Sequence, residues 1–332
     1  MANDVKVVIN LATAPGQQSF GIPLIMAGKQ SKATPYTQCS SLKEVKDAGF
    51  AETTDTYKTA QLLFMQSDAP AKIAVCGATT ATVAALDTLW AEDWRQLIVT
   101  SIGTEGESTA AEISAYIETT DNRMFFTSVD DLSNADALNG KERTVCMYYT
   151  GEDYKCPEAA LVGATAGLTV GGFTYKNVIL KGITPMVLKD ADIEAAHAKN
   201  TIAFVTKAGD NVTSEGKTCS GEYVDIVDSK DYIIQNIEYR CQKVLNKSSK
   251  LPYDNNGIAA LESEVLSVLV DAYNNGIIGV NDENQPDYTV TFATRNETTA
   301  ADRTARKYNG GTFTFGLAGA IHNAEITGEI IV

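Results

Sequence analysis

The sequence predicts an α/β protein (α+β overall): a mostly parallel, helix-flanked sheet, then a second unit of helices and strands, with an extended strand arm at each end of the chain. Three observations predict it. Five short, nearly wholly apolar runs between residues 22 and 148 alternate with helical stretches, the pattern of strands covered on both faces. Residues 233–272 carry two long apolar stripes at helical spacing. Both termini alternate apolar and polar residues with the period of a strand.

At the N-terminus Val5, Val7, Ile9 and Leu11 alternate with Lys6, Val8 and Asn10 before the breaker Pro15-Gly16. Residues 12–19, rich in Ala, Gly, Gln and Pro, read as a flexible link. Arm and link together could extend about 50 Å, far enough to leave their own domain. Strands are then expected at 22–27, 72–76, 96–101, 124–128 and 144–148. Helices are expected between them at 41–48, where Ser41 caps and Glu44 follows three residues on, and at 56–66, 80–91 and 108–118. An alanine-rich helix over 157–168 should pack closely on a neighbour.

Beyond Gly171-Gly172 the rhythm weakens. Residues 178–180 and 186–188 read as strands, 191–199 as a short helix, 201–206 as a strand leading to a polar turn at Gly209-Asp210-Asn211, and 217–227 as an alternating strand. Ile233, Ile237, Cys241 and Val244 stripe one long helix; Ile258, Leu261, Val265, Leu269 and Ala272 stripe a second, which stops at Asn274-Asn275-Gly276. Residues 288–294 form a strand and 298–307 a short helix. The last twenty residues read as two strands: Phe313, Phe315 and Leu317 share one face of the first, Ile326, Ile330 and Val332 one face of the second. A chain that stops inside a half-apolar strand needs a sheet to join.

The chain has 332 residues, 44% of them hydrophobic, and a formal charge of −15, which disfavours a grip on nucleic acid or anionic membranes. No run approaches a membrane span, and Met1-Ala2-Asn3-Asp4 opens no secretory signal, so synthesis and first folding in the cytoplasm are expected. Identical copies repel at long range, so self-assembly would rest on short-range pairing and burial. The six cysteines are scattered without C-x-x-C and are expected to be reduced thiols, Cys76 and Cys146 as fillers of buried strands.

No catalytic, cofactor-binding or metal-binding constellation emerges. Gly216-Lys217-Thr218 resembles the end of a phosphate loop, but Gly209 stands six residues away where four are required, and the following residues alternate like a strand instead of opening a helix. Two histidines, His197 and His322, without paired cysteines make a zinc site improbable and suit surface and sheet-edge roles. Carboxylate pairs such as Asp225/Asp228 read as solvated faces and helix caps.

Several blocks taken together carry a family resemblance: Glu222-Tyr223-Val224-Asp225-Ile226, then residues 251–258 (LPYDNNGI), Asn275-Gly276-Ile277-Ile278, residues 301–306 (ADRTAR), and residues 317–322 (LAGAIH) with Glu325-Ile326-Thr327-Gly328. In order and spacing they resemble the C-terminal domain of contractile tail sheath proteins of phages and phage-tail-like bacteriocins, over roughly residues 221–332. The resemblance implies a non-enzymatic structural subunit. It implies stacked hexameric rings around a tail tube, joined by strand addition between subunits and contracting to drive the tube through a cell envelope. The implied partners are further copies of the chain, the tube protein, and baseplate and terminator proteins, with no cofactor, no nucleic acid and no membrane insertion. The implied setting is a bacterial host cytoplasm, then a virion or released tail-like particle.

In that frame Val5, Val7, Ile9, Leu11, Ile326, Thr327, Ile330 and Val332 are the expected arms, Phe313, Phe315 and Leu317 the receiving strand, and Arg303, Arg306 and Lys307 candidates for contact with the tube or the next ring. The expected division is an arm and linker at 1–19, an α/β region at 20–200, a sheath C-terminal domain at 201–311 and closing strands at 312–332. The alternative is an α/β nucleotide-binding protein or enzyme using the strand ends of residues 22–150.

Overall fold

The computed structural model describes residues 20–28, 30–102, 108–120, 122–151, 156–324 and 326–327. The apolar runs become a sheet, with β1 (Leu24–Ala27), β3 (Ile73–Gly77), β4 (Gln96–Thr100), β5 (Met124–Val129) and β6 (Thr144–Tyr148) close to their expected bounds. Two strands absent from the sequence reading complete it: β2 (Thr34–Cys39) and β8 (Asp210–Thr213), the latter paired to β7 (Thr201–Lys207). The order is β2-β3-β1-β4-β5-β6-β7-β8, parallel from β3 to β7 and antiparallel at both edges.

Each missed strand has a physical reason. The exposed side of β2 is polar, so the apolar-run criterion passes over it. At β8 the predicted turn is confined to Ala208 and Gly209, at φ 50° and 94°, the left-handed pair of a tight hairpin, and the chain is extended again by Asp210. β7 and β8 lie within the 201–311 stretch assigned from the sequence to the second unit, yet they extend the first unit's sheet.

Alternate residues of the strands feed opposite faces. Ile25, Val75, Ile98, Phe126 and Met147 pack with α2 (Asp55–Phe64) and α5 (Pro157–Thr165), which follow α1 (Leu42–Asp47) in the layer on that face. Leu24, Met26, Leu97, Val99 and Phe125 pack on the other with Leu86 of α3 (Thr82–Leu86) and Ile113 and Ile117 of α4 (Ala110–Ile117). The helix expected over 80–91 is α3 followed by a 3-10 turn. Thr109 caps α4 in a reciprocal box with Glu112.

The alanine-rich α5 is buried along its length because it sits almost on the backbone of α2: a Cβ at Gly163 would lie 2.5 Å from the Leu63 carbonyl oxygen. Gly163→Ala is therefore expected to cost about 1–3 kcal/mol of unfolding free energy in urea, with the m-value unchanged.

Residues 178–180 and 186–188 are not strands. Val178 exchanges bonds with Thr213 alone, and Met186 makes a single parallel bridge to Val205, while Ile179 and Val187 point outward. These are apolar contacts of a loop along the sheet, which mimic strand composition without its ladder.

After α6 (Asp190–Ala198) and the β7–β8 hairpin, the expected strand over 217–227 reduces to a bridge between Lys217 and Tyr223. Tyr223 is the extended N-cap of α7 (Val224–Lys247), so the premise that no helix opens after Gly216-Lys217-Thr218 is corrected; the glycine spacing still departs from a phosphate loop. Val224 and Val227 bury three residues apart, a helical interval that wins over the apparent alternation.

α7 packs on α8 (Asn255–Asn274) through Ile233, Val265, Val268, Leu269 and Ala272. Arg240 reinforces the pair by donating to Ser267 and Asp271 at 2.7 and 2.5 Å. β9 (Tyr288–Phe292), α9 (Ala300–Ala305) and β10 (Gly311–Phe315) complete the chain's described elements. Among the described residues no helix is long and apolar enough to cross a membrane.

Candidate assembly interface

β9 and β10 form a two-stranded antiparallel sheet, Gly311 opposite Phe292 and Phe315 opposite Tyr288. Tyr288, Val290, Phe292, Phe315 and Leu317 face the α7–α8 core, whereas Thr289, Thr291, Thr312 and Thr314 face outward. Phe313 stacks on Phe315 with ring centroids 6.2 Å apart and remains 37% exposed. Among the described residues β10 has β9 as its one partner strand. Its other edge is thus a row of backbone donors and acceptors, backed by a packed helical pair and open to a further strand.

Past β10 the chain is tied at both sides. The Gly316 N–H donates to the Asp287 carbonyl at 2.8 Å and the Ala318 N–H to that of Ile277 at 2.9 Å. It then crosses to the 171–176 loop of the α/β unit. There the ring of His322 meets that of Tyr223 edge-on at 4.7 Å, with Nε2 3.1 Å from Thr174 Oγ1, and Lys176 donates to Asn323 at 3.3 Å. His322 is thus a largely buried clasp in an irregular segment, not a sheet-edge residue. Ile326 and Thr327 emerge fully exposed and belong to no strand here; Ile330 and Val332 lie outside the described residues, as do Val5, Val7, Ile9 and Leu11.

The described chain begins at Phe20, whose ring lies 4.2 Å from the Arg95 guanidinium and meets Tyr232 of α7 edge-on at 5.6 Å. Phe20 therefore sits at the junction between the sheet and α7. That junction is ionic and buried. Arg95, wholly buried before β4, donates to Asp228 at 2.5 Å and to Asp231 at 2.9 Å. Arg143, before β6, forks onto both oxygens of Asp231 at 2.8 and 2.9 Å. Tyr175 donates its hydroxyl to Asp228 at 2.8 Å.

Two cations meet two anions, so the cluster is neutral and largely satisfied. Burial opposes the charge on Arg95, but the carboxylates of Asp228 and Asp231 outweigh it and hold the guanidinium above its usual range. Burial together with Asp228 pushes the Tyr175 hydroxyl well up. Asp228, set aside from sequence as one of a solvated pair, is in fact buried. The available signal was the spacing Asp225-x-x-Asp228-x-x-Asp231, which puts carboxylates on one helical face; their distant arginine partners carry no sequence signature.

The three candidate contact cations divide. Arg303 donates to the carbonyls of Arg295 and Thr298 and holds its own turn together. Arg306 ends α9 in the left-handed region at φ 56°, and its side chain, like that of Lys307, is exposed.

Elsewhere, Glu158 in the first turn of α5 is buried and accepts from the Cys156 thiol at 3.2 Å. Burial raises its carboxyl above the usual carboxylate range. A group whose folded-state pKa is raised contributes stability below its unfolded value, lost as pH rises through the folded value. The stability of Glu158→Gln relative to the parent is thus expected to increase from pH 4 to pH 8, measured as the difference in Tm across that range. Among the described residues no group of three or more His, Cys, Asp or Glu side chains is arranged to hold a metal ion.

The fold as a whole, an α/β sheet joined to a helical pair and a two-stranded sheet, is similar to that of solved sheath chains. The chain superposes on the helical sheath of the anti-feeding prophage in its contracted state with a TM-score of 0.71 at 14% identity, covering 100% of this chain and 99% of that one. It superposes on the contracted sheath complex of the PVC extracellular contractile injection system with a TM-score of 0.72 at 12% identity, covering 99% and 98%. For a sheath tail protein of Desulfitobacterium hafniense the values are 0.57 and 9%, covering 86% and 93%. More particularly, residues 224–330 match the family model of the E217 tail sheath protein gp31-like C-terminal domain. Comparison with curated protein sequences finds no match.

Proposed function

We propose that this chain is the subunit of a contractile sheath, a structural protein without enzymatic activity that assembles around a tail tube and contracts. The observation that carries this reading is the open edge of β10 on the α7–α8 pair, within the stretch that matches the tail sheath domain. Residues 5–11 of one neighbour and 326–332 of another would add as strands at Phe313, Phe315 and Leu317. Subunits would then form hexameric rings stacked into a helical mesh, held by backbone hydrogen bonds.

Residues 12–19 would act as the hinge that lets the compact unit swing while its strand stays paired. Contraction would exchange a sparser packing between subunits for a more buried one, with no nucleotide consumed. Arg306 and Lys307, exposed on an acidic molecule, remain the candidates for contact with the tube or the next ring, and Arg303 supports them. Baseplate and terminator proteins would bound the polymer, assembled in a bacterial cytoplasm and carried on a virion or released particle.

Negative-stain microscopy of the purified chain with its tube partner tests the reading. Rods or sleeves are expected. A strictly monomeric protein that binds nucleotide saturably would establish the α/β enzyme alternative instead.

A further inference from the structure

Cys146 lies in the middle of β6 and Cys219 in the loop that joins β8 to α7. Both thiols are buried, and with Leu138 they form a small cluster of their own, apart from the main cores, flanked by Ala110 and Val129. The Cys146 thiol donates to the Met147 carbonyl at 3.8 Å, and the neighbouring Cys219 thiol is the first cause that raises it above its usual range. The backbone holds them in register: the Cys219 N–H donates to the Thr144 carbonyl at 2.8 Å, and the Cys219 carbonyl accepts from Gly140 at 2.9 Å and from the Asn200 side chain at 3.3 Å. Cys156, by contrast, donates to a carboxylate. Two thiols gathered into one buried cluster by separate segments of the fold, in a chain with no sequence motif for it, are an arrangement from which a disulfide can close.

We propose that Cys146 and Cys219 are an oxidisable pair whose disulfide staples the loop leading into α7 to the central sheet. The chemistry balances with a low-molecular-weight disulfide such as oxidised glutathione. When the 214–223 loop opens, the Cys219 thiolate attacks one glutathione sulfur and expels the first glutathione thiolate. The Cys146 thiolate then attacks the Cys219 sulfur of the mixed disulfide and expels the second. The protein loses two electrons and two protons; the oxidant becomes two molecules of glutathione.

The neighbouring Cys219 thiol, followed by burial, raises the Cys146 thiol well above its usual range, which holds Cys146 as the thiol while the loop is closed. The staple would tie the segment leading into α7 to the same sheet that the Arg95–Asp228–Asp231 cluster ties to α7 itself. Chain synthesised in a reducing cytoplasm would carry free thiols, and the same chain in an oxidising medium would carry the crosslink.

The full chain, incubated with oxidised glutathione at pH 8 with and without sub-denaturing urea, is acid-quenched, alkylated in denaturant and mapped by mass spectrometry. The expected result is a single crosslinked peptide pair joining Cys146 to Cys219, with four of the six cysteines still alkylated. A rise in Tm of roughly 5 °C or more, reversed by dithiothreitol, should accompany it. Cys219→Ala should give no intramolecular crosslink under the same treatment. Six alkylated cysteines after exposure in urea, or crosslinks that instead join other cysteines, would overturn the proposal. The wild-type map decides this even where the variant fails to fold.

Discussion

Asp231→Ala is expected to lower the unfolding free energy by about 3–5 kcal/mol, the largest effect of any single substitution in the junction. Asp231 accepts from Arg95 and, by both oxygens, from Arg143, and its side chain is 2% exposed. Removing it leaves two guanidinium groups facing one remaining carboxylate, with one of them buried beneath the ring of Phe20. The cost is that of the stranded charge more than of the lost bonds. Asp231→Asn keeps the shape and removes the charge, so it should fall between parent and alanine. Urea unfolding of the three proteins gives the comparison, and a change below about 1 kcal/mol for alanine would mean that water or backbone movement satisfies the arginines.

The second large effect is on assembly. Deleting residues 326–332 should abolish sleeves while Tm stays within a degree or two of the parent, because Ile326 is 92% exposed and Thr327 is likewise exposed and in no strand of its own subunit. A strand added to β10 contributes several backbone bonds per contact, modest alone, but every subunit of a polymer makes it, so its loss multiplies along the lattice. Deleting residues 1–11 should act in the same way from the other end. Light scattering and negative-stain microscopy read the assembly, and calorimetry the fold. A truncated chain that still forms sleeves would remove the arms from the account.

What the sequence disclosed, and what it withheld, follows from the range of the forces involved. The buried parallel strands and the α7 and α8 stripes were legible because local period and burial coincide there, as at Ile98 or Leu269. The outer strand β2 was not, since its exposed polar side chains hide a strand that only its neighbour defines. The Val224–Val227 run looked like strand alternation, but its burial follows the helical interval, and Asp228 and Asp231 on the same helix meet arginines 88 to 136 residues away. His322 is likewise placed by partners far back in the chain, Thr174 and Tyr223. The strand β10 could be read from Phe313, Phe315 and Leu317. That β10 has β9 as its one partner strand among the described residues is a property of the fold alone.

In the proposed assembly a neighbour's C-terminal strand adds to β10. This addition is tested by placing Thr312→Cys in one population of chains and Ile330→Cys in another, assembling the mixture and oxidising it briefly. Since Thr312 is exposed on β10, the account predicts a covalent dimer linking one chain of each kind, formed in sleeves and not in the unassembled protein. Sleeves that form fully yet yield no mixed dimer, with the crosslink appearing instead within single chains carrying both substitutions, would contradict it.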